Sequence, residues 1–406
     1  MSGHGARTLT AEEVQMPQGH SWRKWPKAAL VLGVLGLVAS FGLKMKGGEG
    51  VTEQFLHSYL VAYMYGLSIA LGCMFFVLIH YATKAGWSVV LRRIAEAGMS
   101  TLPLFALLFI PILMNLDVVY AKWMAQEVQS DHLIHHKAPY LNKPFFLIRC
   151  GIYFAIWIVL AFVFRTLSVK QDETGDPAIT RKLQGLAYPG IALFALSLTF
   201  ASIDWVMTLM PTWFSTMYGV IYFASCVLSM FAFMSLVIVG LHGSGLLKNV
   251  VTVEHYHDLG KYMFGFTIFW AYVSFSQFML QWYANIPEET QFFVERMDGW
   301  KGVSTFQIWG HFFLPWFYLL IREVKRRAAT LALAAAWILV VHFIDIHWQI
   351  MPNLHKDGMN LTLLDFTCLL GVVGIFLGAF GMALQKRNLV PVKDPRLPES
   401  LAFENF

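Results

Sequence analysis

Long apolar stretches dominate this chain, and short polar segments separate them. About 20 apolar residues in an α-helix cross the hydrocarbon core of a bilayer. By this measure the pattern predicts ten spans, with a short amphipathic turn at the interface over 84–98. The predicted spans are approximately 27–43, 55–82, 98–115, 145–165, 185–210, 214–242, 259–285, 302–321, 328–350 and 362–385.

The composition agrees with a polytopic membrane protein. Of the 406 residues, 57% are hydrophobic and only 14% are charged, whereas soluble domains are near a quarter charged. The net charge of +5 comes from scattered residues and not from a basic run interleaved with aromatics, so we expect no nucleic-acid partner. The four cysteines are far apart and include no C-x-x-C-H motif, which argues against covalent haem or an iron–sulfur cluster.

The distribution of Lys and Arg predicts the orientation. Placing the N-terminus inside assigns most of the 30 basic residues to cytoplasmic loops and tails, as the positive-inside rule requires. We therefore predict a cytoplasmic N-terminal tail over 1–26, a membrane domain over 27–390 and a cytoplasmic C-terminal tail over 391–406. The expected location is the bacterial cytoplasmic membrane.

An internal repeat suggests how the spans are grouped. The pattern Ile-Asp-x5-Met-Pro occurs at 203–211, at the end of span five, and again at 344–352, at the end of span nine. A parallel repeat of four helices would place the two copies in this way. The predicted fold is therefore all-α, with two four-helix bundles (spans 2–5 and 6–9) flanked by spans 1 and 10, and both termini cytoplasmic.

A polar stripe on span seven is the first candidate for function. Ser274, Gln277, Gln281 and Asn285 are spaced three, four and four residues apart, so they share one helical face. Lipid cannot satisfy amide groups, so this face must contact protein or a wet cavity. The stripe ends in a loop that we predict to be an outer mouth, with Trp282, Tyr283, Pro287, Glu288 and Glu289 around it.

The next two spans carry similar stripes. Span eight has Ser304, Gln307 and His311, and span nine has His342, Asp345 and Gln349, each at spacings of three and four. Three neighbouring polar faces can line a hydrated path in which His and Asp pass protons through water. The alternative is that they are interhelical hydrogen bonds that hold the helices together.

Asp204, in span five beside Trp205, is the most informative single residue. A carboxylate within a span is costly unless it is paired, hydrated or protonated. One interpretation is a proton acceptor or a quinone hydrogen-bond partner near the outer face. The other is a buried acid that pairs with a neighbouring helix.

Histidines elsewhere do not predict a bound haem or metal. No two membrane histidines face each other at matched depth, as a b-type haem would need. The loop histidines at 132–136 and 255–258 favour contacts with partner subunits over a metal site. We predict no metal.

Two motifs resemble a known family of membrane proteins. They are Ile-Asp-Trp-Val-Met with Pro-x-Trp-Phe-Ser-Thr-x-Tyr-Gly over 203–219, and Phe-Ser-Gln-Phe-x-Leu-x-Trp-Tyr-Ala-Asn-Ile-Pro-Glu-Glu-Thr over 275–290. With ten spans, they resemble the NrfD/polysulfide-reductase membrane-subunit superfamily. The second motif resembles the smaller, quinone-binding-type subunit of bacterial alternative complex III.

The resemblance implies a membrane subunit of a quinol:electron-acceptor (cytochrome c) oxidoreductase in a respiratory or photosynthetic chain. The implied partners are a larger sibling membrane subunit, an extracytoplasmic iron–sulfur subunit, pentahaem and monohaem cytochromes c and small membrane subunits, with a terminal oxidase as a further candidate. Haems and iron–sulfur clusters would reside in those partners, and quinone or quinol is the ligand expected for this chain.

The resulting prediction assigns two roles to this chain. The proton-path candidates are Asp204, His311, His342 and Asp345. The quinone-contact candidates are Asp204, Trp205, Gln277, Gln281 and Tyr283, and the outer mouth is Asn285, Glu288 and Glu289. A secondary transporter and a non-catalytic scaffold subunit of the same complex are the alternatives.

Overall fold

The computed structural model describes residues 9–125 and 132–405, and this part of the chain is helical, with no β-strand. The first eight residues of the predicted N-terminal tail lie outside it. The main helices are α1 (Trp25–Lys46), α2 (Val51–Ala82), α3 (Val89–Met99), α4 (Leu102–Leu108), α5 (Lys143–Thr174), α6 (Pro177–Trp205), α7 (Tyr218–Gly243), α8 (Val253–Ala284), α9 (Pro287–Met297), α10 (Lys301–Phe306), α11 (Leu314–Leu320), α12 (Ala328–Ile350) and α13 (Leu363–Gln385). Short helices are Ala11–Val14, Ile110–Leu113, Leu116–Val119, Ala121–Met124, His132–Lys137, Arg322–Arg326 and Leu397–Leu401, with 3-10 turns at Ser21–Arg23, Met207–Leu209 and Met351–Asn353.

Nine helical stretches in the described residues are long and apolar enough to cross a membrane, as in a multi-pass membrane protein. They correspond to nine of the ten predicted spans. The remaining prediction, 302–321, falls on α10, a π-helix over Gln307–Phe313, and α11. Pro315 lies in the first turn of α11 and has no N–H to continue the hydrogen-bond ladder. Predicted span eight is thus a helix in three pieces, and π-helical turns of this kind occur often at functional sites.

Helices α2 and α7 form the centre of the molecule. Both are apolar on all sides, and almost every side chain of each is buried. The helices packed against α2 are α3, α6, α7, α12 and α13, while α7 also contacts α6, α8 and α12. A helix that is hydrophobic all round is stable only when surrounded, which explains this central position.

The closest pair of helices is α1 and α13, whose contact is built from glycines. A Cβ added to Gly33 would lie 2.5 Å from the backbone nitrogen of Ile375, and one added to Gly374 would lie 2.7 Å from the Cα of Gly33. Small residues allow backbones to approach closely in membranes, where van der Waals packing is a main driving force for helix association. The first and last predicted spans are therefore held together by close van der Waals packing.

The amphipathic pattern over 84–98 predicts a turn at the interface. In the structure, residues 89–99 form α3, and every residue of this helix is buried, whereas Lys84 before it is exposed. Arg93 donates to Glu96 at 2.8 Å and to Asp172 of α5 at 2.6 Å, while Arg92 pairs with Asp394. The charged face of α3 therefore contacts other carboxylates of the chain, which produces the same periodicity as a face toward water.

The two tails meet at one end of the molecule, which we call the terminal face. The Leu389 N–H donates to the carbonyl of Val14 at 2.7 Å. Further along, the Ser400 hydroxyl donates to the carbonyl of Trp87 and accepts from the Val90 N–H. The opposite end, which carries Asn285, is called the Asn285 face.

Candidate functional site

Asp204 lies at the end of α6 with no exposed surface, and four donors occupy its carboxylate. Oδ2 accepts from Arg149 Nε and from Tyr153 Oη, both at 2.7 Å. Oδ1 accepts from Tyr140 Oη at 2.9 Å and from Arg149 Nη2 at 3.1 Å. Such a bidentate pair with two additional hydroxyl donors compensates the cost of burying both charges.

Neighbouring groups fix the position of this ion pair. The Arg149 guanidinium stacks on the ring of Tyr140 at 3.8 Å and donates to the Tyr140 carbonyl at 2.9 Å. Burial, together with the charge of Asp204, raises the pKa of the Tyr140 hydroxyl above its ordinary value, so this group stays a donor. The ring of Trp205 is covered by protein, with Phe109 centred 4.4 Å away and its indole N–H donated to Cys150. The geometry favours the interpretation of Asp204 as a buried acid paired with a neighbouring helix.

Asp345 of α12 occupies the equivalent position of the repeated pattern but has different partners. Its Oδ2 accepts from Gln349 Nε2 at 3.1 Å and from Ser225 Oγ at 3.3 Å, and Oδ1 accepts from Gln307 Nε2 at 3.4 Å. Only neutral groups donate to this carboxylate, which is 2% exposed, and no cation in the described residues forms an ion pair with it. A carboxyl group without a counter-charge can gain and lose a proton without breaking an ion pair.

Several buried polar atoms near Asp345 have no hydrogen-bond partner in the described residues. They are both ring nitrogens of His311 and Gln307 Oε1. The His311 ring stacks on Trp270 with centroids 3.8 Å apart, and Trp270 neighbours Asp345. Buried polar atoms are normally satisfied by protein or by ordered water, so this region has the chemistry of a hydrated cavity.

His342 extends the polar region toward α2. Its Nε2 lies 2.7 Å from Ser68 Oγ, and that hydroxyl donates to the carbonyl of Tyr65. Because the hydroxyl proton is used there, the imidazole is the donor and carries its proton on Nε2. Its Nδ1 is then a free acceptor, and it has no partner in the described residues.

The remaining predicted stripe residues make ordinary interhelical hydrogen bonds. The Gln277 Oε1 accepts from Ser215 Oγ at 2.7 Å, and Gln281 Oε1 accepts from Trp213 Nε1 at 3.4 Å. On predicted span eight, Ser304 Oγ donates to the Arg296 carbonyl at 3.0 Å. These contacts fit the alternative interpretation of the stripes, in which interhelical hydrogen bonds hold the helices together.

The predicted outer mouth is an exposed turn at the Asn285 face. Asn285 ends α8 in the left-handed conformation with φ 48°, a region that asparagine tolerates better than most residues. Glu288 and Glu289 lie in the first turn of α9, where acidic side chains favour the helix dipole. Tyr283 is 84% exposed and is therefore free of the polar interior. The structure does not bring Tyr283 together with Gln277 and Gln281, which are buried.

A buried arginine that the sequence reasoning missed lies between this mouth and Asp345. Arg296 donates to the backbone carbonyls of Phe292, Trp348 and Gln349 and has no carboxylate partner within the described chain. Burial lowers its pKa to about 9. Its neighbour Gln349 links it to Asp345, with Tyr218 Oη donating to Gln349 at 2.8 Å. A cavity of about 10 Å³ beside Arg296 has room for about one water molecule.

Sequence reasoning also missed Arg149, Tyr140 and Tyr153, the partners of Asp204. Arg149 did carry a signal, because an arginine inside predicted span 145–165 needs a carboxylate or a wet cavity. Pairing it with Asp204 needs the contact between α5 and α6, which the pattern of a single sequence does not supply. No group of three or more His, Cys, Asp or Glu side chains in the described ranges is arranged to hold a metal ion.

Comparison with known proteins adds no family assignment. No protein-family model matches the sequence, and no curated protein matches it significantly. The resemblance to NrfD-type subunits therefore stays a prediction that depends on the two motifs.

Proposed function

We propose that this chain is an NrfD-like, ten-span subunit of a quinol:cytochrome c oxidoreductase of the alternative complex III type, and that it supplies a proton path. The complex would act in the electron-transfer chain of a bacterial cytoplasmic membrane. The membrane partners would be a larger sibling and small subunits, and the extracytoplasmic partners an iron–sulfur subunit and two cytochromes c. These partners would hold the haems and clusters, and quinol would be the reductant.

The observation that carries the proposal is the set of unpartnered polar atoms around Asp345. Two helical segments contribute to it: the π-helix through Gln307 and His311, and α12 through His342. A region held together only by hydrogen bonds would have its donors and acceptors paired. An unpaired set beside an uncompensated carboxyl instead suits water-mediated proton transfer.

The same geometry favours proton transfer over quinone binding as the role of this chain. The Asp204 carboxylate, the first candidate for a quinone partner, is occupied by Arg149, Tyr140 and Tyr153. The amide oxygens of Gln277 and Gln281 accept from Ser215 and Trp213. A quinone contact through these oxygens or through the Asp204 carboxylate would require these bonds to open.

Helix contacts support the proposed topology. Helices α2 to α6 contact one another as spans two to five, and α7, α8, α12 and the broken helix from α10 to α11 form a second group. Helices α1 and α13 pack together beside them. We propose that the broken helix is the tenth span, which gives two four-helix bundles with two flanking spans and both termini in the cytoplasm.

A secondary transporter is the second candidate, and the broken helix favours it. Discontinuous helices near the bilayer midplane form substrate sites in many transporters. In such proteins the break recurs at corresponding positions of the two repeats, however. The helix that corresponds to span eight is α5, which is continuous over Lys143–Thr174. A subunit of a redox complex is therefore favoured over a secondary transporter.

Purification of the tagged chain from its native membrane tests the proposal directly. We expect it to co-purify with c-type haem and iron–sulfur signals and with quinol:cytochrome c activity. A photoreactive quinone added to that complex should label the sibling subunit and not the 197–211 or 272–290 peptides of this chain. Isolation as a haem-free monomer or homo-oligomer would contradict the proposal and favour the transporter.

A further inference from the structure

A second buried polar site lies on the other side of α12, outside the predicted stripes. Residues 345 and 347 of this helix are related by a rotation of about 200° about the helix axis, so they lie on nearly opposite faces. Asp345 accepts a hydrogen bond from Gln307 of the broken helix, whereas His347 lies beside Asp365 of α13 and the ring of Trp300. The ring of His347 has no exposed surface, and neither of its nitrogens has a hydrogen-bond partner.

A carboxylate oxygen of Asp365 in α13 lies close to this ring. This oxygen, Oδ1, lies 4.0 Å from His347 Nε2, a separation that one bridging water can span. The carboxylate is 1% exposed and accepts from Ser58 Oγ at 2.7 Å and from the Thr362 N–H and hydroxyl at 2.7 and 2.8 Å. These donors fix the position of the carboxylate but leave it without a permanent positive partner.

A chain of hydrogen bonds connects this site to the Asn285 face. Gln54 Nε2 donates to Ser58 Oγ at 3.0 Å, and Gln54 Oε1 lies 2.5 Å from His355 Nε2. His355 is half-buried in the loop between α12 and α13. The other titratable or charged groups that face the site are His57 of α2, Cys368 of α13 and Lys122 of a neighbouring short helix. The His57 ring is already bonded to the Glu53 carbonyl.

Electrostatics determines how many protons this pair holds. With one proton shared between imidazole and carboxylate the pair has no net charge, whereas zero or two protons leave a net charge buried in a low-dielectric interior. The neutral pair therefore shares one proton between its two groups. We propose that His347 and Asp365 form a second buried proton-binding pair, reached from the Asn285 face past His355 and Gln54.

Infrared difference spectroscopy after a pH jump tests this inference on the full chain in lipid nanodiscs. We expect a carboxyl band and an imidazole band that change together. Asp365→Asn and His347→Gln should each abolish both bands, since the proton is shared. Asp117→Asn, at an exposed carboxylate outside both polar sites, is the matched control and should leave both bands in place.

Two results would overturn the inference. The first is a variant that removes only its own band, because the groups would then titrate independently. The second is appearance of the carboxyl change on adding NaCl at constant pH, because the carboxylate and hydroxyls would then bind sodium. Asp365→Asn keeps an oxygen for the Thr362 donors, and His347→Gln loses no hydrogen bond, so at least one variant should fold. The test needs no partner subunit, so its failure leaves the role of Asp345 and the proposed redox complex unaffected.

Discussion

The guanidinium of Arg149 donates to both carboxylate oxygens of Asp204, at 2.7 Å to Oδ2 and at 3.1 Å to Oδ1. The second copy of the same sequence pattern places Asp345 near the end of another helix, where two amides and a hydroxyl donate to it. The first carboxylate is fixed by an ion pair, whereas the second has no ion pair among the described residues. We infer that the first stabilises the fold and that the second exchanges protons.

Replacing Arg149 with leucine should destabilise the protein strongly. It removes the cation that pairs with the buried Asp204, and breaking a buried pair in this way costs about 3–5 kcal/mol. The free energy of unfolding, measured by denaturant titration in detergent, should fall by that amount.

The exposed ion pair between Lys143 and Asp117 offers a control on the same helix. Its side chains are 51% and 70% exposed, so Lys143→Leu should change stability by only about 0–1 kcal/mol. The double variant Arg149→Leu, Asp204→Leu should recover most of the lost stability. Equal effects of the two single substitutions would show that Arg149 does not carry the proposed structural role.

The glycine contact between α1 and α13 predicts that alanine at two glycines of α1 has different effects on stability. Gly33→Ala would place a methyl group 2.5 Å from the Ile375 nitrogen, and overpacking of this kind costs about 1–3 kcal/mol. Gly42→Ala on the same helix meets no atom within 4 Å and should be neutral or slightly stabilising. Thermal unfolding in nanodiscs compares the two, and an equal melting temperature for both variants would contradict the packing described.

Substitution of His311 distinguishes a hydrated proton path from interhelical hydrogen bonds that only hold the helices together. Phenylalanine keeps the stacking on Trp270 and sacrifices no hydrogen bond, because neither ring nitrogen has a partner in the described residues. We expect His311→Phe to be at least as stable as the wild type in thermal unfolding but slower in proton uptake by proteoliposomes. Loss of stability with unchanged proton uptake would show that His311 has a structural role and is not part of a proton path.

The apolar pattern was sufficient to predict nine of the spans, because length and hydropathy alone define a membrane helix. It did not predict the break in span eight, where Gly310 and Pro315 interrupt a stretch of ordinary composition. Nor did it distinguish the buried ion pairs of Arg92 and Arg93 from a solvated face, since both give the same periodicity. The partners of Asp204 depend on a contact between residues 55 positions apart. Such contacts follow from the packing of helices and not from local sequence.

Asp345→Asn is the substitution that tests the proposed proton path most directly. Asp345→Asn preserves size, and the amide can still bond to Ser225 and Gln349, so the folded complex should assemble with unchanged haem content. The measurement is proton uptake coupled to quinol oxidation in proteoliposomes, with the exposed Asp117→Asn as the matched control.

We expect the coupled proton uptake of Asp345→Asn to fall by about 10²-fold or more, as for removal of a positioned proton acceptor. Wild-type uptake by an intact, correctly assembled Asp345→Asn complex would contradict the proton path and leave this chain a scaffold for its partners.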